Sequence, residues 1–255
     1  MKGRAEPPDT QRIDGARPMA QTEQYFSRVN RPLLAFLPPD LGSVLDVGCA
    51  AGALGRAYKE TCPASRWTGI EIDAGAAATA RGILDHVVAG DVEQVADAPP
   101  GAPFDALVYA DTLEHFQDPA ATMSRHLRWL KPGGIVCASI PNIQHWSAIL
   151  SLLAGRWDYR DEGLFDRTHL RFFTLKTIVE FFRDAGGTVE RMEPLVPRPG
   201  APLVPHWDRH EAMMAELKRL CETFDLVFDA RRFLAYQYLV AARFGTAARF
   251  GTAAP

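Results

Sequence analysis

The feature that most constrains this sequence is a regular alternation of short apolar runs with helix-forming segments, beginning near residue 43. The apolar runs are SVLDVG, RWTGIEID, HVVAGD, FDALVYAD and IVCASIP. Alternating strands and helices pack as parallel strands joined by crossover helices. The pattern therefore predicts an α/β fold with a mostly parallel sheet and helices on both faces.

Other segments complete this outline. The runs TVERME and AYQYLVAAR have no helical pattern immediately between them, so we expect them to pair antiparallel at the sheet edge. The KPGG stretch is expected to end the helix before the fifth strand. Segments 141–172 and 194–230 interrupt the alternation, and insertions after strand ends lie where ligands bind, so both are expected to be lids. A third lid is a helix within 20–37, broken at Pro32.

Composition limits the organisation and the partners. Residues 1–19 are expected to be a disordered lead and 244–255 a flexible tail, which leaves one domain over 20–243. A net charge of −3 without a basic excess argues against a nucleic-acid partner. Four scattered cysteines argue against a disulfide framework or a zinc site. With neither a secretion signal nor a membrane-spanning run, we expect a cytoplasmic protein, which could be a homodimer.

The stretch VLDVGCAAGALG forms a glycine turn between the first strand and its helix. Glycines let the backbone approach a ligand, and a helix N-terminus presents unpaired N–H groups. The dinucleotide pattern G-x-G-x-x-G and the P-loop are absent. Glu71 follows Asp46 by 25 residues, at a strand end, where a carboxylate can accept two ribose hydroxyls. The alternative is a plain turn in which Asp46 caps the helix.

Five motifs in order, VLDVGCAAG, GIEID, AGDVE, FDALVYADTLEHFQDP and LKPGG, resemble those of the class I S-adenosylmethionine-dependent methyltransferases. The resemblance is strong over residues 43–140. It implies a Rossmann-like sheet of seven strands, mostly parallel with the last strand antiparallel, and S-adenosylmethionine as the cofactor. The residues predicted for cofactor binding are Tyr25, Asp46, Gly48, Cys49, Gly52, Glu71, Ile72, Asp91, Val92 and Ala110.

The resemblance also implies a role for each part of this set. The turn around Asp46 would surround the methionine part, Glu71 would hold the ribose, and Ala110 would lie near the sulfonium. Ile72 would contact the adenine, with Asp91 at its amino group and Val92 beside it. Independently of the resemblance, Tyr25 and Arg31 on the first helix could close over the methionine end, and the alternative is a surface helix packed on the core. The sequence departs from the family at Ala50, where the middle glycine of D-x-G-x-G-x-G is expected, and the extra methyl group could crowd the cofactor.

The segment from Ser139 to Phe173 resembles a narrower group, methyltransferases often encoded with or fused to bacterial glycosyltransferases and polysaccharide enzymes. This favours O-methylation of a sugar, a glycan precursor or a secondary metabolite. The alternatives are N- or carboxyl-methylation of a small molecule or peptide, an NAD-dependent sugar-modifying enzyme, and an inactive cofactor-binding partner protein.

The stretch LFDRTHLRFF interleaves charged and apolar side chains. Its apolar residues should anchor a loop across the pocket while its polar residues face the acceptor. His169 is the candidate base because a hydroxyl is a poor nucleophile until it loses its proton, and His115 is the rival. Arg167 and Arg171 could bind a carboxylate or phosphate of the acceptor. The alternative is that Asp166 pairs with an arginine merely to fix the loop.

Three more residues, Asn142, His145 and Trp146, are expected to line the acceptor pocket. Glu114 is expected to fix a helix start. No metal is expected, because the histidines and cysteines lack ligand spacing. A magnesium ion on Asp91, Asp111 and Glu114 is the alternative.

Overall fold

The structure is a computed structural model that describes residues 28–197 and 209–245. The expected lead at 1–19, Tyr25 and residues 246–255 of the expected tail lie outside these ranges. In the described part, no helix is both long enough and apolar enough to span a membrane.

Seven strands form one sheet, in the order β3-β2-β1-β4-β5-β7-β6. The strands are β1 (Ser43–Val47), β2 (Arg66–Glu71), β3 (His86–Ala89), β4 (Phe104–Ala110), β5 (Leu130–Pro141), β6 (Gly187–Leu195) and β7 (Gln237–Phe244). Strands β1 to β5 pair in parallel, whereas β7 runs antiparallel to both β5 and β6. The predicted Rossmann-like sheet and the antiparallel pairing of the last two strands are confirmed, with β6 at the edge and β7 inside it.

Eight α-helices are described, and short 3₁₀ turns at Leu113–His115 and Leu127–Trp129 flank one of them. The helices are α1 (Arg31–Phe36), α2 (Ala53–Thr61), α3 (Ala74–Ala80), α4 (Pro119–His126), α5 (Trp146–Leu153), α6 (Leu175–Asp184), α7 (His210–Thr223) and α8 (Ala230–Leu234). The alternation predicted from the sequence is present throughout the parallel half of the sheet.

The sheet is buried on both faces. Leu45 and Val47 of β1 belong to one apolar cluster, and Val44, the residue before Leu45, belongs to another on the opposite face. Successive strand side chains point to opposite faces, so a strand covered on both sides must be apolar at every position. Packed side chains therefore cover both faces of the sheet, and most polar groups of the candidate site lie at its carboxyl edge.

One local expectation is only partly described and another is wrong. Pro32 stands in the first turn of α1, where its missing N–H costs no hydrogen bond, and residues 20–27 of the expected helix lie outside the described ranges. The KPGG stretch does not end a helix, because α4 ends at His126 and β5 begins at Leu130. Its glycine Gly133 has φ +77° and lies where the register between β4 and β5 shifts. The glycines thus serve a bulge in the strand.

The 141–172 insertion consists of α5 followed by an irregular loop. A parallel bridge between Asn142 and Phe173 closes its base, and a bridge between Arg160 and Asp166 closes a smaller turn inside it. The Asp166 carboxylate accepts hydrogen bonds from the Thr168 backbone N–H at 2.8 Å and from its hydroxyl at 2.6 Å. This turn sets the direction of the chain that carries His169.

Candidate active site

The carboxyl ends of β1 and β2 are joined by the Glu71 side chain. Glu71 is 5% exposed, and its two oxygens accept N–H groups of Ala50 and Asp73, both at 2.8 Å. A carboxylate has about four lone-pair sites, so two remain for other donors such as ribose hydroxyls. Glu71 therefore fixes the glycine turn and is still able to bind a ligand.

The turn itself has a left-handed backbone. Gly48, Ala50 and Gly52 have φ values of +75°, +49° and +79°. Ala50 therefore departs from the family pattern at a position where glycine relieves backbone strain, on the order of 1 kcal/mol. A Cβ on Gly48 would lie 2.9 Å from Thr112 Cγ2, so this glycine also permits the close approach of the chain after β4.

Asp46, at the end of β1, is a buried carboxylate with an unused oxygen. It is 1% exposed, and no group in the described ranges hydrogen-bonds its Oδ1. Burial, and after it the charge of Glu71, raises the pKa of Asp46 to about 7. A cationic or N–H donor group would satisfy this oxygen. The orphaned acceptor thus fits the ammonium group of S-adenosylmethionine.

The remaining residues predicted for the cofactor lie along the same edge. Ile72 follows β2 and is 70% exposed, so its side chain is open to the adenine contact that was predicted for it. Asp91 follows β3 and is half-buried, with one oxygen accepting the Glu93 N–H at 2.9 Å. Val92 is buried, and the buried Cys49 thiol donates to the Ala50 carbonyl at 3.6 Å.

Asp111, directly after β4, is the centre of a polar network that sequence reasoning missed. Its carboxylate accepts hydrogen bonds from Asn30 at 2.9 Å, Ser139 at 2.9 Å and Gln237 at 2.6 Å. The network ties the start of α1 and strands β5 and β7 to the end of β4, which contains Ala110. The partners of Asp111 are far apart in sequence, so the sequence contains no local pattern for this network. Its one signal in the sequence is a polar residue, Asp111, directly after a strand.

His115 and His169 come together from separate segments. Their ring centroids are 4.9 Å apart, and His115 Nδ1 lies 3.2 Å from the Thr168 carbonyl oxygen. A carbonyl can only accept, so Nδ1 carries the proton and Nε2 keeps its lone pair. Burial lowers the pKa of both rings, that of His169 to about 4. Both imidazoles are therefore neutral near pH 7, and each keeps one ring nitrogen with a free lone pair.

Glu114 joins this pair, and its side chain does not serve the helix start that the sequence suggested. It is 1% exposed, and neither carboxylate oxygen has a hydrogen-bond partner among the described residues. Oε1 lies 3.9 Å from His169 Nε2. Burial, followed by the charge of Asp111, raises the pKa of Glu114 well above its usual range. Two histidines and one carboxylate thus surround a common point.

Three residues predicted for the acceptor pocket have structural roles instead of open positions. Asn142 is fully buried and donates to the carbonyls of Arg232 and Ala235 at 2.8 and 2.7 Å. His145, also fully buried, caps α5 by accepting the Ser147 N–H. Trp146 is packed in the apolar cluster under α7 and α8. These three side chains hold the insertion in place and do not line an open pocket in the described structure.

The two arginines of the inserted loop are exposed. Arg167 pairs with Asp161 at 2.9 Å, and Arg171 donates to the carbonyl oxygen of Gln117. Neither pairs with Asp166, whose carboxylate is used by Thr168. Arg171 and His169 line one small cleft with Phe172. The arginines lie at the surface of the insertion, where they could reach an anionic ligand.

Comparison with known proteins gives the same family. A family model described as a methyltransferase domain matches residues 21–191. The ubiquinone biosynthesis O-methyltransferase of Sodalis glossinidius is 31% identical over 124 residues, which are 46% of this chain and 49% of that protein. The trans-aconitate 2-methyltransferase of an Azoarcus species is 31% identical over 116 residues, 45% of this chain and 46% of that protein. The chain thus spans about half the length of each of these relatives.

A solved structure shares the fold. The S-adenosylmethionine-dependent methyltransferase from Mesorhizobium loti superposes with a TM-score of 0.54 at 19% identity, over 87% of this chain and 98% of that chain. At this identity the likeness concerns the sheet and its helices.

Proposed function

The chain belongs to the class I S-adenosylmethionine-dependent methyltransferases, with S-adenosylmethionine as its cofactor. We propose that it methylates a hydroxyl oxygen of a sugar, a glycan precursor or a secondary metabolite. The observation that carries the proposal is the contact between two neutral imidazoles, that of His115, after the end of β4, and that of His169, from the inserted loop. Ala110, the last residue of that strand, is the position that the family places near the sulfonium.

The chemistry explains why this pair favours oxygen. The cofactor supplies a methyl group already activated by its sulfonium, so the protein needs to place the acceptor in line and to remove its proton. A neutral hydroxyl needs a base, whereas a carboxylate is already a nucleophile at neutral pH. The His115 Nε2 lone pair is available because Nδ1 is held by Thr168. The relative named as a ubiquinone biosynthesis O-methyltransferase supports an oxygen acceptor.

The sugar or glycan class of the acceptor rests on the inserted segment and its resemblance to methyltransferases encoded with glycosyltransferases. We also propose that 141–172 covers the acceptor, with Arg167 and Arg171 available to an anionic substituent such as a sugar phosphate. Their exposure at the surface of the insertion supports that role.

A second candidate is methylation of a carboxylate. It is favoured by the two exposed arginines and by the likeness to a trans-aconitate 2-methyltransferase. The buried histidine pair would then have no proton to accept. Histidine substitutions therefore separate the two candidates.

The test is transfer of an isotopically labelled methyl group to a panel of sugar nucleotides, phosphorylated sugars, phenols and di- or tricarboxylic acids. NMR of the product locates the methylated atom. We expect a methyl ether, and we expect Glu71→Ala to lower the rate of transfer by about tenfold or more at limiting cofactor. Methyl esters or N-methyl products alone would contradict the proposal, as would binding of NAD in place of S-adenosylmethionine.

A further inference from the structure

Three side chains with ligand chemistry converge beside the end of β4. Glu114 and His115 lie in the 3₁₀ turn after that strand, and His169 reaches them from the inserted loop. One ligand atom from each lies within 4.8 Å of the other two, and no other such cluster of metal-binding side chains occurs in residues 28–197 and 209–245. Two chain segments 55 positions apart thus supply a compact set of two imidazoles and one carboxylate.

Glu114 is the second, independent observation. Its carboxylate is almost completely buried, and neither oxygen is hydrogen-bonded within the described structure. Buried carboxylates are normally paired, hydrogen-bonded or bound to a metal. The nearest basic atom, His169 Nε2 at 3.9 Å, is too far for a hydrogen bond. A bound cation would satisfy both oxygens of this buried side chain.

The backbone around the cluster holds His115 as metal ligands are usually held. The Thr168 carbonyl accepts His115 Nδ1–H. The Glu114 carbonyl accepts the N–H groups of Leu170 and Arg171 at 2.8 and 2.9 Å, which fixes the loop beside the 3₁₀ turn. A hydrogen bond on one ring nitrogen orients the other toward a metal and raises its basicity.

We propose that Glu114, His115 and His169 bind one divalent transition-metal cation of the zinc type, with both histidines ligating through Nε2. Ligands about 2.1 Å from a tetrahedral ion stand about 3.4 Å apart, so the side chains would have to move inward by less than about 1 Å. Imidazole nitrogen suits zinc, cobalt or iron better than magnesium, which prefers an all-oxygen shell. The expectation of no metal is thereby revised.

The magnesium set considered from the sequence has a weaker basis. Asp111 already accepts three side-chain hydrogen bonds, and Asp91 lies beyond the cluster at the end of β3. Asp111 therefore has a role in tying strands together, and Glu114 is the carboxylate left for a cation.

Three protein ligands leave a coordination position open for water or for an acceptor oxygen. If this inference is combined with the proposed O-methylation, on which this step rests, the acceptor hydroxyl would bind the cation and lose its proton more readily. The cation would then do part of the work assigned above to a free histidine base. Cation binding itself does not depend on which acceptor the protein uses.

The test is a titration of the metal-stripped full-length protein with Zn²⁺ by calorimetry and with Co²⁺ by visible absorption. We expect one ion per chain. We expect His115→Ala, His169→Ala and Glu114→Gln each to weaken binding by at least about 100-fold, because they remove a direct ligand. The matched control is His86→Ala, on the exposed start of β3, which should bind as the unmodified protein does. Circular dichroism and affinity for the demethylated cofactor verify folding of each variant.

Absence of stoichiometric binding, or binding that all three substitutions leave unchanged, would overturn the inference. Loss of metal binding in Glu114→Gln with intact folding would support it even if the other two variants failed to fold. The outcome is separable from that of the proposed function. Methyl transfer that survives complete chelation would refute a role of the cation in catalysis while leaving O-methylation in place, whereas metal binding without any methyl ether product would support the cation site and contradict the proposed O-methylation.

Discussion

The two halves of the candidate site are built in different ways. The donor edge consists of the turn 46–52 with Glu71 and Asp91, and its parts lie at or just beyond the carboxyl ends of successive strands. The acceptor side consists of the 3₁₀ turn Leu113–His115 and the loop 164–173. The donor edge is held by backbone N–H groups on one carboxylate, whereas the acceptor side is held by two backbone hydrogen bonds to the Glu114 carbonyl. One half is fixed by the fold and the other by a single insertion.

This difference predicts where substitutions act. Substitutions on the acceptor side should change the turnover rate with little effect on the affinity for the cofactor. On the donor edge they should change cofactor affinity and the stability of the turn.

Replacing either histidine of the acceptor side should have the largest effect. Loss of a group that accepts or helps to remove the acceptor proton costs about 10²–10⁴ in rate. We expect His169→Ala and His115→Ala to lower kcat/KM by at least 100-fold, with the affinity for the demethylated cofactor within about twofold. His86→Ala, exposed on β3, is the control for loss of an imidazole. Equal losses of turnover and cofactor affinity would show that the two halves are not separable.

Glu71→Ala should weaken binding of the demethylated cofactor by about tenfold or more. The substitution removes ribose hydrogen bonds to a charged group, each worth about 1.5–3 kcal/mol, and it also releases the N–H groups of Ala50 and Asp73. Calorimetry measures the affinity and denaturant unfolding the stability. Glu60→Ala, exposed on α2, is the matched control and should change neither. Unchanged affinity in Glu71→Ala would remove this residue from the donor edge.

The same contrast explains what could be predicted from the sequence. Glu71 was identified because a carboxylate at a strand end after a glycine turn is a local pattern. The cluster of Glu114, His115 and His169 was only partly identified, since its geometry depends on a loop that returns from 55 positions away. Asn142 and His145 were assigned to the pocket because they are polar, but burial and hydrogen bonding to nearby groups decide their role. Polarity alone does not distinguish a side chain that lines the pocket from one that holds the loop in place.

Asp46 should make the donor edge pH-sensitive. Its pKa is raised to about 7 from an ordinary value near 4, so the folded protein without cofactor keeps a proton that the unfolded chain loses. That contribution to stability is present below about pH 4 and is lost as the pH rises to 7. Cofactor binding should have the opposite trend, because the ionised carboxylate pairs with the ammonium group. We expect affinity for the demethylated cofactor to rise roughly tenfold from pH 6 to pH 8.

Asp46→Asn should remove both trends, since the amide does not titrate in this range. Calorimetry at three pH values and unfolding of the cofactor-free protein measure them. The acceptor-side variant His169→Ala should keep both. A wild-type affinity that does not vary between pH 6 and pH 8 would contradict the assignment of Asp46 to the ammonium group.

Ala50→Gly should have the smallest effect, and it should stabilise the donor edge. Ala50 has φ +49°, a conformation that costs a residue with a Cβ roughly 1–2 kcal/mol and costs glycine almost nothing. Part of the gain is lost because glycine also increases the entropy of the unfolded chain, by about 0.4–1 kcal/mol. We expect a net stabilisation of about 0.5–1 kcal/mol in denaturant unfolding, with cofactor affinity unchanged or slightly tighter. Ala78→Gly, on the exposed face of α3, is the matched control and should destabilise the protein by about 0.5–1 kcal/mol. If both substitutions destabilise equally, the left-handed turn at Ala50 is not strained, and the departure from the family's glycine pattern has no conformational cost.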